Sequence, residues 1–106
     1  MSRRISFEDF LKVDIRVGRI TQVEDFLEAH KPSYKLTIDF GELGVKKSSA
    51  QITQRYAKEQ LLGRQVVAVV NFSPKQVANF ISEVLVLGAL TKRNEVVLLK
   101  PDRMLN

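Results

Sequence analysis

The sequence predicts an all-β fold, a five-stranded Greek-key barrel with a short helix between strands three and four and short terminal extensions. Three observations carry that expectation. Residues 34–40 alternate apolar and polar side chains without a break, so the two-residue period of a strand puts Tyr34, Leu36, Ile38 and Phe40 on one face. Residues 66–70 and 84–87 are aliphatic runs of strand length, as expected for strands buried on both faces. Between these blocks, Thr53 opens a helical stretch of about two to three turns, with Ile52 as a staple before it, Tyr56 and Leu61 as apolar contacts and Gly63 as a stop.

The remaining elements follow in chain order. Ser6-Phe7-Glu8-Asp9-Phe10-Leu11 reads as a short amphipathic helix that Ser6 caps and Asp9 completes, with Phe10 and Leu11 covering one end of the barrel. Val13-Asp14-Ile15-Arg16-Val17 alternates strictly, which predicts Val13, Ile15 and Val17 inward, Asp14 and Arg16 outward, and a bulge or bend at Gly18. Residues 21–33 are polar and hold the one His, so they read as a hairpin connection. Gly41-Glu42-Leu43-Gly44 is turn chemistry, after which residues 45–50 return as a third strand. A last strand over residues 95–99 stops before Pro101. Three strands, a helix and two or three further strands are the order of an OB barrel. An SH3-like barrel competes on strand count but has no comparable helix in the middle.

Composition bounds what the fold does. At 106 residues the chain is the size of one domain, expected to span 1–106, and one hydrophobic core is feasible. With no Cys there is no disulfide framework, thiolate nucleophile or cysteine zinc site. His30 is the sole imidazole, so no metal site is expected. Phosphate-binding glycine loops and serine elbows are missing from the sequence, and Asp14 and Asp39, next to Arg16 and Lys35, read as surface ion pairs rather than an acid–base couple. The expectation is a binding protein with no cofactor. The apolar runs are too short for a membrane span, and the charged start is not a signal segment, so a cytoplasmic location without membrane insertion is expected.

Seventeen Lys and Arg against twelve Asp and Glu give a formal charge of +5, a modest hint of an anionic partner. Residues 31–64 carry seven of the cations: Lys31, Lys35, Lys46, Lys47, Arg55, Lys58 and Arg64. Two segments are candidate binding surfaces. Lys46-Lys47-Ser48-Ser49-Ala50-Gln51-Ile52-Thr53 groups cations, hydroxyls and an amide suited to phosphate or a peptide backbone, or is simply a polar strand leading to a helix. Residues 71–83 form a loop between two buried strands, bearing Asn71, Phe72, Lys75, Phe80 and Ser82. Its rings can stack on bases or grip apolar side chains, or can close the barrel mouth. Phe80, in mid-loop, is the better candidate for display, and Phe72, directly after a strand, for packing.

Five ordered motifs then carry a resemblance: Val13-Asp14-Ile15-Arg16-Val17-Gly18, Leu36-Thr37-Ile38-Asp39-Phe40-Gly41, Ser48-Ser49-Ala50-Gln51-Ile52-Thr53, Val69-Val70-Asn71-Phe72-Ser73-Pro74 and Ser82-Glu83-Val84-Leu85-Val86-Leu87-Gly88. Together they resemble the CsaA chaperones, a branch of the tRNA-binding-domain family, across nearly the whole chain. The resemblance implies an OB-fold homodimer whose terminal segments, with Phe7, Phe10, Leu11, Val97 and Leu99, build the interface. It also implies chaperone activity on unfolded preproteins for export, in association with the translocation motor SecA. The alternative is tRNA recognised through shape and phosphate. Either ligand would be met by Arg16, Lys35, Lys46, Lys47, Ser48, Ser49, Gln51, Asn71, Phe72, Lys75, Phe80 and Ser82. Where tRNA-binding relatives tend to carry Ser-x-Gly-Met, this chain has Ser82-Glu83-Val84-Leu85. They also tend to carry Ser-Gly-Leu where it has Ser49-Ala50-Gln51. The acid at Glu83 and the missing Met weigh toward the chaperone branch.

Overall fold

The five strands of the main sheet follow in the order the sequence predicts, their lengths and faces are corrected in several places, and residues 75–82 and 88–90 add strands that the sequence did not predict. The computed structural model describes residues 3–105. A short helix α1 (Phe7–Leu11) leads into β1 (Ile15–Asp25), β2 (Tyr34–Asp39), a 3-10 turn (Gly41–Leu43) and β3 (Val45–Ala50). One helical turn, α2 (Lys58–Leu61), precedes β4 (Gln65–Val69), and the chain then makes a small hairpin, β5 (Lys75–Val77) and β6 (Phe80–Ser82). The short strand β7 (Leu85–Val86) and a second hairpin, β8 (Gly88–Leu90) with β9 (Val96–Leu98), follow. The main sheet is antiparallel in the order β3-β2-β1-β4-β7.

β2 behaves as its alternation predicts. Tyr34, Leu36, Ile38 and Phe40 are all buried in the core, together with Ile20, Ile52, Leu61, Val66 and Leu98. The turn after it uses Gly41 and Gly44 at φ +73° and +93°, values that cost glycine little. Asp39 Oδ1 accepts the Gly41 N–H at 2.8 Å, so Asp39 is a turn cap rather than a partner of Lys35.

β1 inverts the expectation. Arg16 lies opposite the fully buried Ala68 and Gly18 opposite the fully buried Val66, so the even-numbered residues face the barrel. Ile15 and Val17 fall on the outer side, where Ile15 is 43% exposed, and Val13, which precedes the strand, is exposed rather than inward. Nor is Gly18 a bulge: the register shift lies between Ile20 and Gln22. Gly18 instead allows β1 to lie against β2, since a Cβ there would sit 2.6 Å from Ile38 Cγ2 and 2.7 Å from the Phe40 ring.

Three further corrections concern lengths. The polar stretch 21–33 is strand as far as Asp25, and its Phe26 is buried. The helix expected from Thr53 is only α2, because residues 53–55 are turns and Leu62 already has extended backbone. β7 is a short end strand with Leu85 half-exposed, not a strand buried on both faces.

α1 carries the predicted capping box: Ser6 Oγ accepts the Asp9 N–H at 3.0 Å and Asp9 Oδ2 accepts the Ser6 N–H at 3.3 Å. It does not cover the barrel, however. No residue of α1 is buried, and Phe7 is 72% exposed, with Phe10 and Leu11 also in solvent. Asn71 explains where the segment is held: its Oδ1 accepts the Asp14 N–H at 3.0 Å and its Nδ2 donates to the Lys12 carbonyl at 2.7 Å.

Candidate functional site: a groove on the barrel seam

β3 and β7 are the two ends of the sheet order, and they do not pair as a ladder. Among the described residues one backbone bond crosses between this pair of edges, from Glu83 N–H to Lys47 C=O at 2.8 Å. Side chains complete the closure. Glu83 Oε2 accepts the Lys47 N–H at 2.9 Å, and Ser82 Oγ accepts the Ser49 N–H at 3.1 Å. The acid at Glu83 is therefore engaged with backbone.

Beyond Ser49 the edges diverge into an open groove of about 1040 Å³. One wall is the loop with His30 and Lys31, the other the β5–β6 hairpin with Phe72 and Lys75, and the floor includes Ile52, Val84 and Leu98. Two tyrosines stiffen the floor: Tyr34 OH donates to the Tyr56 carbonyl at 2.8 Å, and Tyr56 OH accepts the Leu98 N–H at 3.0 Å. An apolar floor between polar walls is the usual form of a ligand cleft.

Nine of the twelve binding residues proposed from sequence divide into three groups, and Arg16, Lys46 and Lys47 lie outside the groove lining. Ser49, Gln51, Phe72, Lys75 and Ser82 line the groove. Lys35 and Phe80 form a clasp beside it. Phe80 meets the buried Phe26 edge-on at 5.4 Å between ring centroids, and Lys35 Nζ lies 5.2 Å from the Phe26 centroid and 5.9 Å from that of Phe80. The third group stands apart. Ser48 is fully buried, with its hydroxyl donating to Ser49 C=O, and Asn71 holds the N-terminal segment.

The two rings thus exchange the roles expected of them. Residues 71–83 are a hairpin rather than a loop, and its register puts Phe80 opposite Val77 while Phe72 precedes the first strand. Phe72 is 55% exposed, and Phe80 is packed. Phe26 is the residue that sequence reasoning missed; it was hidden in a polar stretch, and its one signal was an isolated aromatic there.

The basic cluster is thinner than its count. Arg55 pairs with Glu95 at 3.0 Å and Lys58 with Asp25 at 2.9 Å, while Arg64 stacks 5.2 Å from the Tyr56 centroid. The hydrogen bond from Lys58 to Asp25, reinforced by its charge, raises the Lys58 pKa. Arg16 makes two bonds to Asp14, at 2.9 and 3.1 Å, and the Arg16 hydrogen bond lowers the Asp14 pKa against an opposing desolvation. Lys31, Lys35, Lys46, Lys47 and Lys75 have no carboxylate within ion-pair distance among the described residues. They form the available positive charge around the groove and on the β2–β3 surface.

A small antiparallel barrel with a groove between two projecting loops and a basic rim defines an OB-type binding module. The chain matches the family described as "Putative tRNA binding domain" over residues 15–106. It belongs to that family, and within it the resemblance to CsaA proteins is high. It is 59% identical to a CsaA chaperone protein from Picrophilus torridus, covering 95% of this chain and 94% of that one at a TM-score of 0.90. A chaperone CsaA from Bacillus anthracis str. Ames is 57% identical, covering 97% and 94%, at a TM-score of 0.92. A methionine–tRNA ligase of Bdellovibrio bacteriovorus is 38% identical over 92% of this chain, which spans only 14% of that enzyme. Among the described residues no helix is long and apolar enough to cross a membrane.

Proposed function

We propose that this chain is a CsaA-type chaperone that binds unfolded preproteins in the seam groove and assists their export from the cytoplasm, without catalysis of its own. The observation that carries the reading is the apolar-floored groove with the exposed Phe72 on its wall, in a chain so similar to CsaA chaperones. A SecA partner follows from the resemblance alone.

The test is suppression of aggregation of an unfolded preprotein. Phe72→Ala is expected to weaken it severalfold with the melting curve unchanged, because a displayed ring contributes little to stability. Phe80→Ala is the control for packing: it removes the edge contact with Phe26 and is expected to lower the melting temperature. Full suppression by Phe72→Ala would place the client elsewhere.

A second reading, tRNA binding, is favoured by the unpaired lysines around the groove and on β2–β3. Changing Lys31, Lys47 and Lys75 together to Glu is expected to abolish retention of bulk tRNA, and wild-type retention is expected to fall steeply with salt. Normal retention by the triple variant would remove this surface from consideration.

The dimer is part of the proposal. The register puts Ile15 and Leu85 in one row across β1, β4 and β7, on either side of the buried Val69, and both are exposed. The half-exposed Leu99 is tied to the residue after β7 by its N–H, which donates to Leu87 C=O at 3.2 Å. With Phe7, Phe10, Leu11 and the half-buried Val97, these apolar groups supply an interface for a second copy.

A further inference from the structure

The barrel seam itself points to how a polypeptide is recognised. In β3 the groups that reach across the seam belong to Lys47 and Ser49. Carried one residue past the end of β3 at Ala50, the two-residue period turns the backbone N–H and C=O of Gln51 the same way, and neither has a backbone partner among the described residues. On the other side, Val86 lies opposite Ala68, and the neighbouring pair is joined by Leu87 N–H donating to Val67 C=O at 2.8 Å. Val86 is thus at a non-hydrogen-bonded position against β4, and its backbone groups face away from that strand. Gln51 and Val86 both line the groove, so two sheet edges look at each other across it.

We infer that the groove takes an extended polypeptide segment as an added strand, pairing with Gln51 on the β3 edge and Val86 on the β7 edge and completing the barrel. This rests on the polypeptide-binding reading above and adds its recognition chemistry. Main-chain pairing is independent of sequence, which suits a binder of many clients, while alternate side chains of the guest meet the apolar floor at Ile52, Val84 and Leu98. The edge of the hairpin beside the groove, β5, is short and protected by Pro74 and Lys75, as edges that avoid pairing are. Lys31 and Lys75 are exposed, line the groove from two separate segments and have no carboxylate partner among the described residues, so the favoured guest has an apolar alternating centre and acidic flanks.

The probe is the blocked peptide Asp-Val-Thr-Val-Thr-Val-Asp, compared with two versions N-methylated on the Val or on the Thr amides. Each version removes the donors of one strand edge and keeps every side chain. Binding of the parent, with slowed amide exchange at Gln51 and Val86, and at least tenfold weaker binding of both methylated peptides is the expected result. Equal binding of all three would overturn strand addition and leave a groove that reads side chains only. A protein that suppresses preprotein aggregation but ignores the parent peptide would overturn this inference and leave the chaperone reading standing. Failure with preprotein and peptide alike would overturn both.

Discussion

The first half of β1 and the whole of β2 are equally alternating stretches with opposite fates. In β2 the apolar set Tyr34, Leu36, Ile38 and Phe40 fills the barrel. In β1 the apolar residues Ile15 and Val17 are turned outward, and Arg16 and Gly18 take the inner positions opposite Ala68 and Val66. Alternation specifies that a strand has two different faces, and leaves open which of them meets the core. The choice at β1 is made by neighbours: Gly18 is the one residue of the pair of phases that can lie against Ile38 and the Phe40 ring. Placing Val17 at that point would require a side chain where the packing admits none.

The largest expected effect tests the inner member of the comparison. Leu36→Ala removes a fully buried side chain and is expected to cost about 2 to 5 kcal/mol, read from denaturant unfolding. Ile15→Ala, an equally conservative truncation on the outward face, is expected to stay within about 0.5 kcal/mol in an isolated chain. If the proposed dimer forms through this face, Ile15→Glu dissociates it in sedimentation while the barrel still folds. Equal losses for Leu36→Ala and Ile15→Ala in a monomer would break the comparison.

Gly18→Ala comes next. Its methyl group must displace a buried ring and an isoleucine methyl, so a loss of about 1 to 3 kcal/mol is expected from thermal or denaturant melts. An unchanged melt would mean that β1 can shift relative to β2, and that the inverted phase has another cause.

The smallest effect belongs to the Arg16–Asp14 pair at the end of β1. Because the Arg16 hydrogen bond holds the folded pKa of Asp14 below the ordinary value of 3.8, the carboxylate stabilises the fold above that value. Its contribution is lost as pH falls through the lowered pKa. Both side chains are well exposed, so the gain is small. Asp14→Asn is expected to melt slightly earlier than wild type at neutral pH and identically at acid pH below the folded pKa. A gap that widens on acidification would contradict the pairing.

The groove shows the same division between pattern and context. Ser49, Gln51, Phe72, Lys75 and Ser82 were legible as polar and aromatic residues crowded into two segments, and the barrel brings those segments together. Phe80 and Phe72 could not be ranked from their positions in the chain, because their exposure depends on the β5–β6 register and, for Phe80, on Phe26, a residue distant from it in sequence. Arg55, Lys58 and Arg64 counted toward a basic cluster until folding set Glu95, Asp25 and Tyr56 beside them.

What the sequence by itself determined is local: the strand period of residues 34–40, the capping box at Ser6 and Asp9, the turn at Gly41 and Gly44, and the five motifs that place the chain in its family. These follow from backbone geometry and short-range hydrogen bonding, which act within a few residues. Only the tertiary structure decided which face of β1 looks inward, how short α2 and β7 are, and that the barrel is held at its seam by Glu83 and Ser82 with an open groove beyond. Those outcomes depend on steric fit and pairing between segments tens of residues apart, and a periodic pattern carries no information about its eventual neighbour.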